Sequence, residues 1–113
     1  MKTRLPKKSE FIEPVLKEFK SGLQQLYGNR LHSLILFGSY ARGNQHDESD
    51  IDLLVVLNTM ESPYKEIDMM SNLTDQYFFE NELFLNVIPT SVERFSTFHT
   101  PLYLNINKEG VSV

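Results

Sequence analysis

The stretch LFGSYARGNQHDESDIDLLVVLN, residues 36–58, decides the fold of this chain. Apolar runs of strand length, residues 34–37 and 51–57, lie at its two ends, and both are typical of buried strands. Gly38-Ser39 interrupts the first run, and Gly43-Asn44 marks a loop before the second. The sequence therefore predicts a strand–turn–strand unit in which polar residues collect where the turn meets the second strand.

Two carboxylates stand at the start of the second apolar run. Because successive side chains of a strand point to opposite faces, Asp50 and Asp52 are expected on the same face. Neighbouring carboxylates at the head of an apolar strand repel each other and lose solvation, and a bound divalent cation compensates both costs. The spacing therefore predicts a metal site at Asp50 and Asp52.

The Gly-Ser turn has the properties of a phosphate-binding loop. Gly38 has no Cβ to keep a phosphate away from the backbone, and Ser39 offers both an N–H and a hydroxyl. If residues 39–42 open a short helix, its N-terminus also favours an anion. Arg42 either neutralises a phosphate or forms a surface salt bridge. We therefore predict that a nucleoside triphosphate binds between this turn and the metal site.

These residues resemble the nucleotidyltransferase fold of the DNA polymerase beta superfamily, whose signature is a Gly-Ser pair, a spacer and Asp-x-Asp. The longer string GSYARG…SDIDLLV is similar to the minimal nucleotidyltransferase (MNT) domains of prokaryotes, which are often paired with a HEPN-domain protein. The strong part of the match covers residues 34–57. The rest of the chain resembles these domains more loosely, in its short length and in its order of strands.

The resemblance implies an enzyme that uses Mg²⁺ to transfer a nucleotidyl group, with AMP from ATP as the expected donor. It assigns Asp50 and Asp52 as catalytic metal ligands and Gly38 and Ser39 as the residues that hold the β- and γ-phosphates. It further implies a protein hydroxyl as acceptor, a HEPN-type toxin as partner, and an antitoxin role.

The third acid of the catalytic members of the superfamily has no obvious counterpart. Aligning ELFLNVIPTS by its strand places Asn86 where that acid often lies, and an amide carries no charge and is no base. Glu82 is expected at the strand entrance, two pleats from Asn86 and on the same side. Glu82 is either the displaced acid or an exposed residue at the end of a strand.

Length and composition predict one small domain, residues 1–113. The chain has no cysteine, no apolar run of membrane-spanning length and no apolar signal-peptide core near its N-terminus, which predicts a cytoplasmic protein with no membrane association. Its formal net charge of −4 does not favour extended binding to nucleic acid.

Periodicity predicts alternating helices and strands, and hence a small mixed β-sheet flanked by helices. The predicted elements are a helix from Ser9 or Glu13 to Gly28 with Phe11, Val15, Phe19, Leu23 and Leu26 on its apolar side; strands 34–37 and 51–57; a helix from Ser62-Pro63 to about Phe79; a strand from Leu83 to Ile88 closed by Pro89; a short helix through Glu93 to Phe98; and a tail from Tyr103 with a helical turn and an edge strand.

Several side chains allow two interpretations. Phe78-Phe79, and Phe95 with Phe98, form either core or a surface for a partner. Tyr40 either stacks on the nucleotide or packs under the turn. His46, beside Asp47 and Glu48, is better explained by a polar loop than by a metal cluster, and His32 and His99 are isolated in sequence.

Three functions remain open at the level of sequence. The first is the nucleotidyltransferase described above. The second is a catalytically weakened nucleotide-binding module, which neutralises or regulates a partner by direct contact because its third acid is missing. The third is a structural subunit with a relict motif. The presence of both aspartates and of the Gly-Ser pair argues against the third.

Overall fold

The computed structural model describes all 113 residues of the chain. Short 3₁₀ helices at Lys7–Ile12 and Gly28–Arg30 accompany five α-helices and four β-strands. In chain order these are α1 (Glu13–Tyr27), β1 (Leu31–Phe37), α2 (Ser39–Arg42), β2 (Ile51–Leu57), α3 (Pro63–Asn81), β3 (Leu85–Ser91), α4 (Val92–Thr97), α5 (Pro101–Glu109) and β4 (Val111–Ser112).

The sheet has the strand order β3-β2-β1-β4. β1 pairs antiparallel with both β2 and β4, whereas β2 and β3 are parallel and are connected through α3. Because β1 and β2 are antiparallel and β2 and β3 are parallel, the end of β1 and the starts of β2 and β3 meet at one end of the sheet. The predicted α/β class and the small mixed sheet flanked by helices are confirmed.

Both faces of the central strands are covered, which explains why their sequences are continuous apolar runs. On one face a large cluster joins alternate residues of β1 and β2 to α1 and α3, among them Leu34, Leu53, Val55, Phe19 and Met70. On the other face a smaller cluster contains Ile35, Leu54, Val56 and Ile106 of α5. No helix is both long enough and apolar enough to cross a bilayer.

The predicted apolar side of the first helix is partly wrong. Phe11 lies in the 3₁₀ helix that precedes α1 and is largely exposed, and Leu26 is also exposed. The residues that α1 buries are Leu16, Phe19, Leu23 and Tyr27. The 3₁₀ geometry before Glu13 takes Phe11 off the helical side, because its periodicity differs from that of α1. Within α1 the buried side keeps Phe19 and Leu23 and ends at Tyr27 instead of Leu26.

The prediction for the third strand also needs correction. β3 begins at Leu85 rather than Leu83 and continues through Pro89 to Ser91. Pro89 is accommodated because β3 is an edge strand, where a missing N–H need not interrupt the ladder. Before it, α3 extends to Asn81 and ends in a left-handed turn at Glu82, with φ of 55°. Glu82 is therefore not in the strand.

Candidate active site

Gly38 connects the end of β1 to α2 in a conformation that only glycine adopts readily. Its φ of 78° and ψ of −155° lie outside the regions open to residues with a side chain. A Cβ at this position would overlap Asp52 Oδ2. Gly38 is therefore needed for its backbone conformation and also because the turn lies directly against the Asp52 carboxylate.

Asp52 is held from its other side by Asn86. The parallel register places these two residues opposite each other on β2 and β3, and Asn86 Nδ2 donates a hydrogen bond to Asp52 Oδ1 at 2.9 Å. One carboxylate oxygen is thus bound by the neighbouring strand, while the other faces the Gly-Ser turn. Asn86 occupies the predicted position beside the aspartate pair and supplies an amide in place of a third charge.

Asp50 is exposed and lies one residue before β2 begins. The ion pairs of the structure are Lys17–Glu13, Arg30–Glu66, Arg42–Glu109 and Lys65–Glu61, and neither Asp50 nor Asp52 takes part in them. The two carboxylates therefore carry negative charge that no Lys or Arg of the chain neutralises.

The predicted short helix is present as α2, which begins at Ser39. The Ser39 hydroxyl has no hydrogen-bond partner in the protein, and its side chain remains partly exposed. Arg42, at the end of α2, forms an exposed ion pair with Glu109 of α5, Nη1 to Oε2 at 3.4 Å. The surface salt bridge proposed for Arg42 is thus observed, and an exposed pair of this kind is weak enough to exchange for another anion.

Tyr40 packs under the turn rather than standing open for a nucleotide to stack on. Its side chain is buried, with its ring centroid 6.2 Å from that of Phe11. Burial raises the pKa of the Tyr40 phenol, and the charges of Asp47 and Asp50 raise it further. Tyr40 therefore packs under the turn with its phenol neutral, close to Asp50.

Glu82 does not lie where strand parity predicts it. That parity puts it on the same side as Asn86, but Glu82 is the exposed residue that terminates α3. No group of three or more His, Cys, Asp or Glu side chains is arranged to hold a metal ion. His46 likewise belongs to a polar turn, in which it bonds Ser49 and Glu48.

Sequence reasoning missed one polar cluster at the opposite end of the sheet. Glu66 is buried and pairs with Arg30, Oε2 to Nη2 at 2.8 Å. Glu66 sits among apolar positions of α3, so periodicity alone gives no sign of it. His32 and His99, which are isolated in sequence, both line one cavity on the α4 side of the sheet.

The oxygen ligands offered by Asp50 and Asp52 at the start of β2 suit Mg²⁺. This ion prefers oxygen ligands and is commonly bound by one or two carboxylates together with substrate phosphates and water. Asp52 Oδ2 and the Asp50 carboxylate are such ligands, and both are free of protein cations.

The family description "Polymerase beta, Nucleotidyltransferase" matches residues 20–109, which include the whole turn and both aspartates. The chain belongs to this nucleotidyltransferase family. A protein of Methanocaldococcus jannaschii with the provisional name protein adenylyltransferase MJ0604 is 33% identical over 99 residues, covering 87% of this chain and 93% of that protein. A second from the same organism, MJ0141, carries the same provisional name and is 34% identical over 79 residues, covering 70% of this chain and 78% of that protein.

Solved structures agree with the fold of this nucleotidyltransferase. A provisionally named nucleotidyltransferase from Sulfolobus solfataricus superimposes with a TM-score of 0.64 at 21% identity, covering 93% of this chain and 81% of that one. A chain of a toxin–antitoxin complex with AMP-PNP gives a TM-score of 0.62 at 20% identity, covering 85% and 70%. A related MntA–HpeT toxin–antitoxin structure gives 0.60 at 20% identity, covering 86% and 70%.

Proposed function

We propose that this nucleotidyltransferase moves AMP from ATP to a hydroxyl group of a partner protein in a Mg²⁺-dependent reaction. The partner is a HEPN-type toxin, and the chain acts as its antitoxin. The relatives named as protein adenylyltransferases and the toxin–antitoxin structure with an ATP analogue support the donor and the kind of acceptor. The Gly-Ser turn and the two aspartates of this chain lie within the part that matches the family.

The observation that carries the proposal is the contact between the turn and the carboxylate. Asp52 Oδ2 occupies the space where a Cβ on Gly38 would lie, and Ser39 next to it has a hydroxyl without a protein partner. A phosphate bound to this turn would therefore lie beside the same carboxylate that faces a metal ion. A protein built only for structure has no reason to keep two carboxylates unneutralised at this place.

The reaction joins the acceptor oxygen to the α-phosphorus of ATP and breaks the bond from that phosphorus to the bridging oxygen, so that pyrophosphate leaves. Mg²⁺ at this site would supply positive charge to the phosphate oxygens. Ser39 and the backbone of the turn would bind the leaving phosphates, and Arg42 is available to them on breaking its pair with Glu109. The acceptor's proton would pass to a carboxylate oxygen of Asp50 or Asp52 or to solvent water, because Asn86 offers no third carboxylate to take it.

A specific observation favours a second candidate function. Asn86 stands where a third carboxylate would help to deprotonate the acceptor, and a general base contributes about 10²- to 10⁴-fold to a rate. Binding by Asp50, Asp52 and Ser39 does not need that base. The chain would then be a nucleotide-binding module that controls its partner by contact, with slow transfer or none.

One experiment separates these functions. The chain is incubated with a HEPN-domain protein and with ATP labelled either on the α- or on the γ-phosphate. Transfer of the α-label only, lost in Asp50→Asn and Asp52→Asn, supports the enzyme. Mg²⁺-dependent ATP binding without transfer supports the binding module.

Labelling from the γ-phosphate would contradict nucleotidyl transfer, because the terminal phosphate leaves with the pyrophosphate. Absence of any Mg²⁺-dependent ATP binding would contradict both candidates and leave a relict motif. The variant Glu13→Gln, on the exposed surface of α1 and away from the turn, is the control for general effects of removing a carboxylate.

A further inference from the structure

Three phenylalanines at the junction of α3 and β3 form an exposed cluster that nucleotidyl transfer does not use. Phe78, Phe79 and Phe84 are 49%, 79% and 55% exposed. The ring of Phe78 stacks edge to face on those of Phe79 and Phe84, with centroids 5.4 and 6.1 Å apart. Contiguous aromatic surface of this kind is costly in water and is typical of binding sites.

The cluster lines a groove of about 290 Å³, which we call the aromatic groove; its other lining residues are Thr74, Asp75 and Leu85. The groove adjoins the active site through the backbone. Ile51, which lies between Asp50 and Asp52, donates its N–H to the Phe84 carbonyl at 3.0 Å and pairs with Leu85. The groove and the two aspartates thus share the end of the sheet where β2 and β3 begin, although Leu85 of the groove packs in the α1–α3 cluster and Asp52 has the parity of Leu54 on the opposite face.

Charge decides what kind of molecule fits. The groove borders two acidic residues that take part in none of the ion pairs of the chain. Asp75 lines the groove, and Glu82 follows Phe78 by one helical turn. These two carboxylates favour a cationic segment over an anionic one, because opposite potentials meet across protein interfaces.

We propose that the aromatic groove docks a cationic segment of the acceptor protein, with an apolar side chain against Phe79 and Phe84 and Lys or Arg side chains against Asp75 and its acidic neighbours. The inference rests on the proposed function, because it takes the acceptor to be a protein. A segment docked here reaches Asp50 and Asp52 by passing around the end of the sheet where β2 and β3 begin, which would raise the effective concentration of its hydroxyl at the reacting phosphate.

The test uses a fluorescent amphipathic peptide of Lys, Leu and Ser residues and a matched peptide with Glu in place of Lys, each titrated with the full chain by anisotropy. The Lys peptide should bind, more weakly as salt rises, and the Glu peptide should not. Phe79→Ser should weaken binding roughly tenfold or more, as expected for an aromatic anchor. Tyr64→Ser, which removes an 84% exposed aromatic ring of the same helix, should leave binding unchanged.

A charge reversal gives a second, independent arm. Asp75→Lys should shift the preference toward the Glu peptide, and this arm decides the matter if melting curves show that Phe79→Ser fails to fold. Equal binding of both peptides by the wild type, or unchanged binding in both variants, would overturn the proposal. So would loss of self-association in Phe79→Ser by sedimentation, since the groove would then bind a second copy of the chain.

Calorimetry with Mg-ATP keeps this proposal separate from the proposed function. Phe79→Ser should bind Mg-ATP as the wild type does, and a loss of that binding would assign the cluster to the nucleotide and overturn the docking role. If the wild type binds the Lys peptide through the groove but transfers no label to any acceptor, docking is supported and the enzyme function fails.

Discussion

The two ends of β2 differ in whether the carboxylates near them are paired with a cation. At the end where β2 begins, which we call the open end, Asp50 and Asp52 face solvent and no Lys or Arg pairs with them. At the other, the closed end, Glu66 is buried and held by Arg30 at 2.8 Å. Arg30 also bonds the Thr59 carbonyl and lies 5.3 Å from the ring centre of Tyr27.

At the closed end the protein neutralises a carboxylate with its own arginine, whereas at the open end the carboxylates remain available to a bound cation. A buried carboxylate without a cation would be unstable, so the closed end supplies Arg30. The same cluster affects Tyr27: burial, and then the negative charge of Glu66, raise the pKa of its phenol to about 12. The open end has no Lys or Arg beside Asp50 and Asp52, so a bound cation would relieve the repulsion between them.

The largest effect is expected from Asp52→Asn at the open end. Mg²⁺-dependent ATP binding should be abolished, because the carboxylate next to the turn is lost. The melting temperature should stay the same or rise slightly, since one of two repelling charges is removed. Calorimetric titration of Mg-ATP and a thermal melt measure both quantities, and wild-type affinity in the folded variant would rule out the metal-site assignment.

Arg30→Met at the closed end should show the reverse pattern. Leaving the Glu66 carboxylate buried without its cation costs about 3 kcal/mol, the lower part of the range for a broken buried pair, because Arg30 is itself partly exposed. Urea unfolding measures the loss. The double variant Arg30→Met/Glu66→Gln should recover much of the stability, and Mg-ATP affinity should not change in either. A stable single variant would contradict the structural role of the pair.

Asn86→Asp tests whether a third carboxylate at the open end speeds the transfer of AMP. A third carboxylate beside Asp52 should raise the rate of AMP transfer by about 100-fold if the wild type lacks a general base. Single-turnover label transfer in the presence of the partner measures it. Glu82→Gln is the comparison variant: a rate that falls in Glu82→Gln and does not rise in Asn86→Asp would make Glu82 the working acid, reached from the end of α3.

A comparison of Gly28 with Gly38, which both have positive φ, separates the cost of backbone strain from the cost of a steric clash. Gly28, near the closed end, has φ of 56° and no atom within 4 Å of the place where a Cβ would lie, whereas a Cβ on Gly38 would overlap Asp52. Gly28→Ala should cost about 1–3 kcal/mol of backbone strain and leave Mg-ATP binding intact. Gly38→Ala should cost more and also weaken binding. Equal losses of stability and normal binding in both would mean that the turn does not need its contact with Asp52.

The smallest expected effect is that of Ser39→Ala. Its hydroxyl has no protein partner, so stability should not change, while the loss of one hydrogen bond to phosphate costs about 1 kcal/mol of Mg-ATP binding. Ser91, where β3 ends, is the matched serine because its hydroxyl accepts from Arg94 N and begins α4. Ser91→Ala should lower the melting temperature and leave ATP affinity alone. An exchange of these two results would make Ser39 a helix cap.

Much of the open end could be predicted from sequence because it is local. Gly38, Ser39, Asp50 and Asp52 lie within one strand–turn–strand unit, whose geometry follows from strand alternation and a glycine turn. The resemblance to the nucleotidyltransferases placed Asn86 near the aspartates, and the parallel register of β2 and β3 brings it opposite Asp52. The role of Asn86 as a hydrogen-bond donor to that carboxylate required the structure.

The parts that could not be predicted depend on contacts between distant residues or on unmarked helix ends. Glu66 and Arg30 are 36 positions apart, and no local pattern joins them. The left-handed turn that ends α3 falls at Glu82 and has no glycine to mark it, so periodicity alone ends the helix too early. Pro89 is a weak stop signal, because an edge strand tolerates a proline. The sequence alone does not determine whether Phe78 is buried, because its exposure depends on how α3 packs against β3.

The parallel pairing of β2 with β3 makes assembly of the active site a late event in folding. Asp52 and Asn86 are separated by 34 positions, and α3 must cross over before they can meet. Non-local parallel pairing of this kind is slow, because the loop entropy is lost before the contacts form. The β1–β2 hairpin, with its turn and both aspartates, can form earlier. A folding intermediate with this hairpin alone would therefore already hold the carboxylates while still lacking the Asn86 amide that fixes one of them.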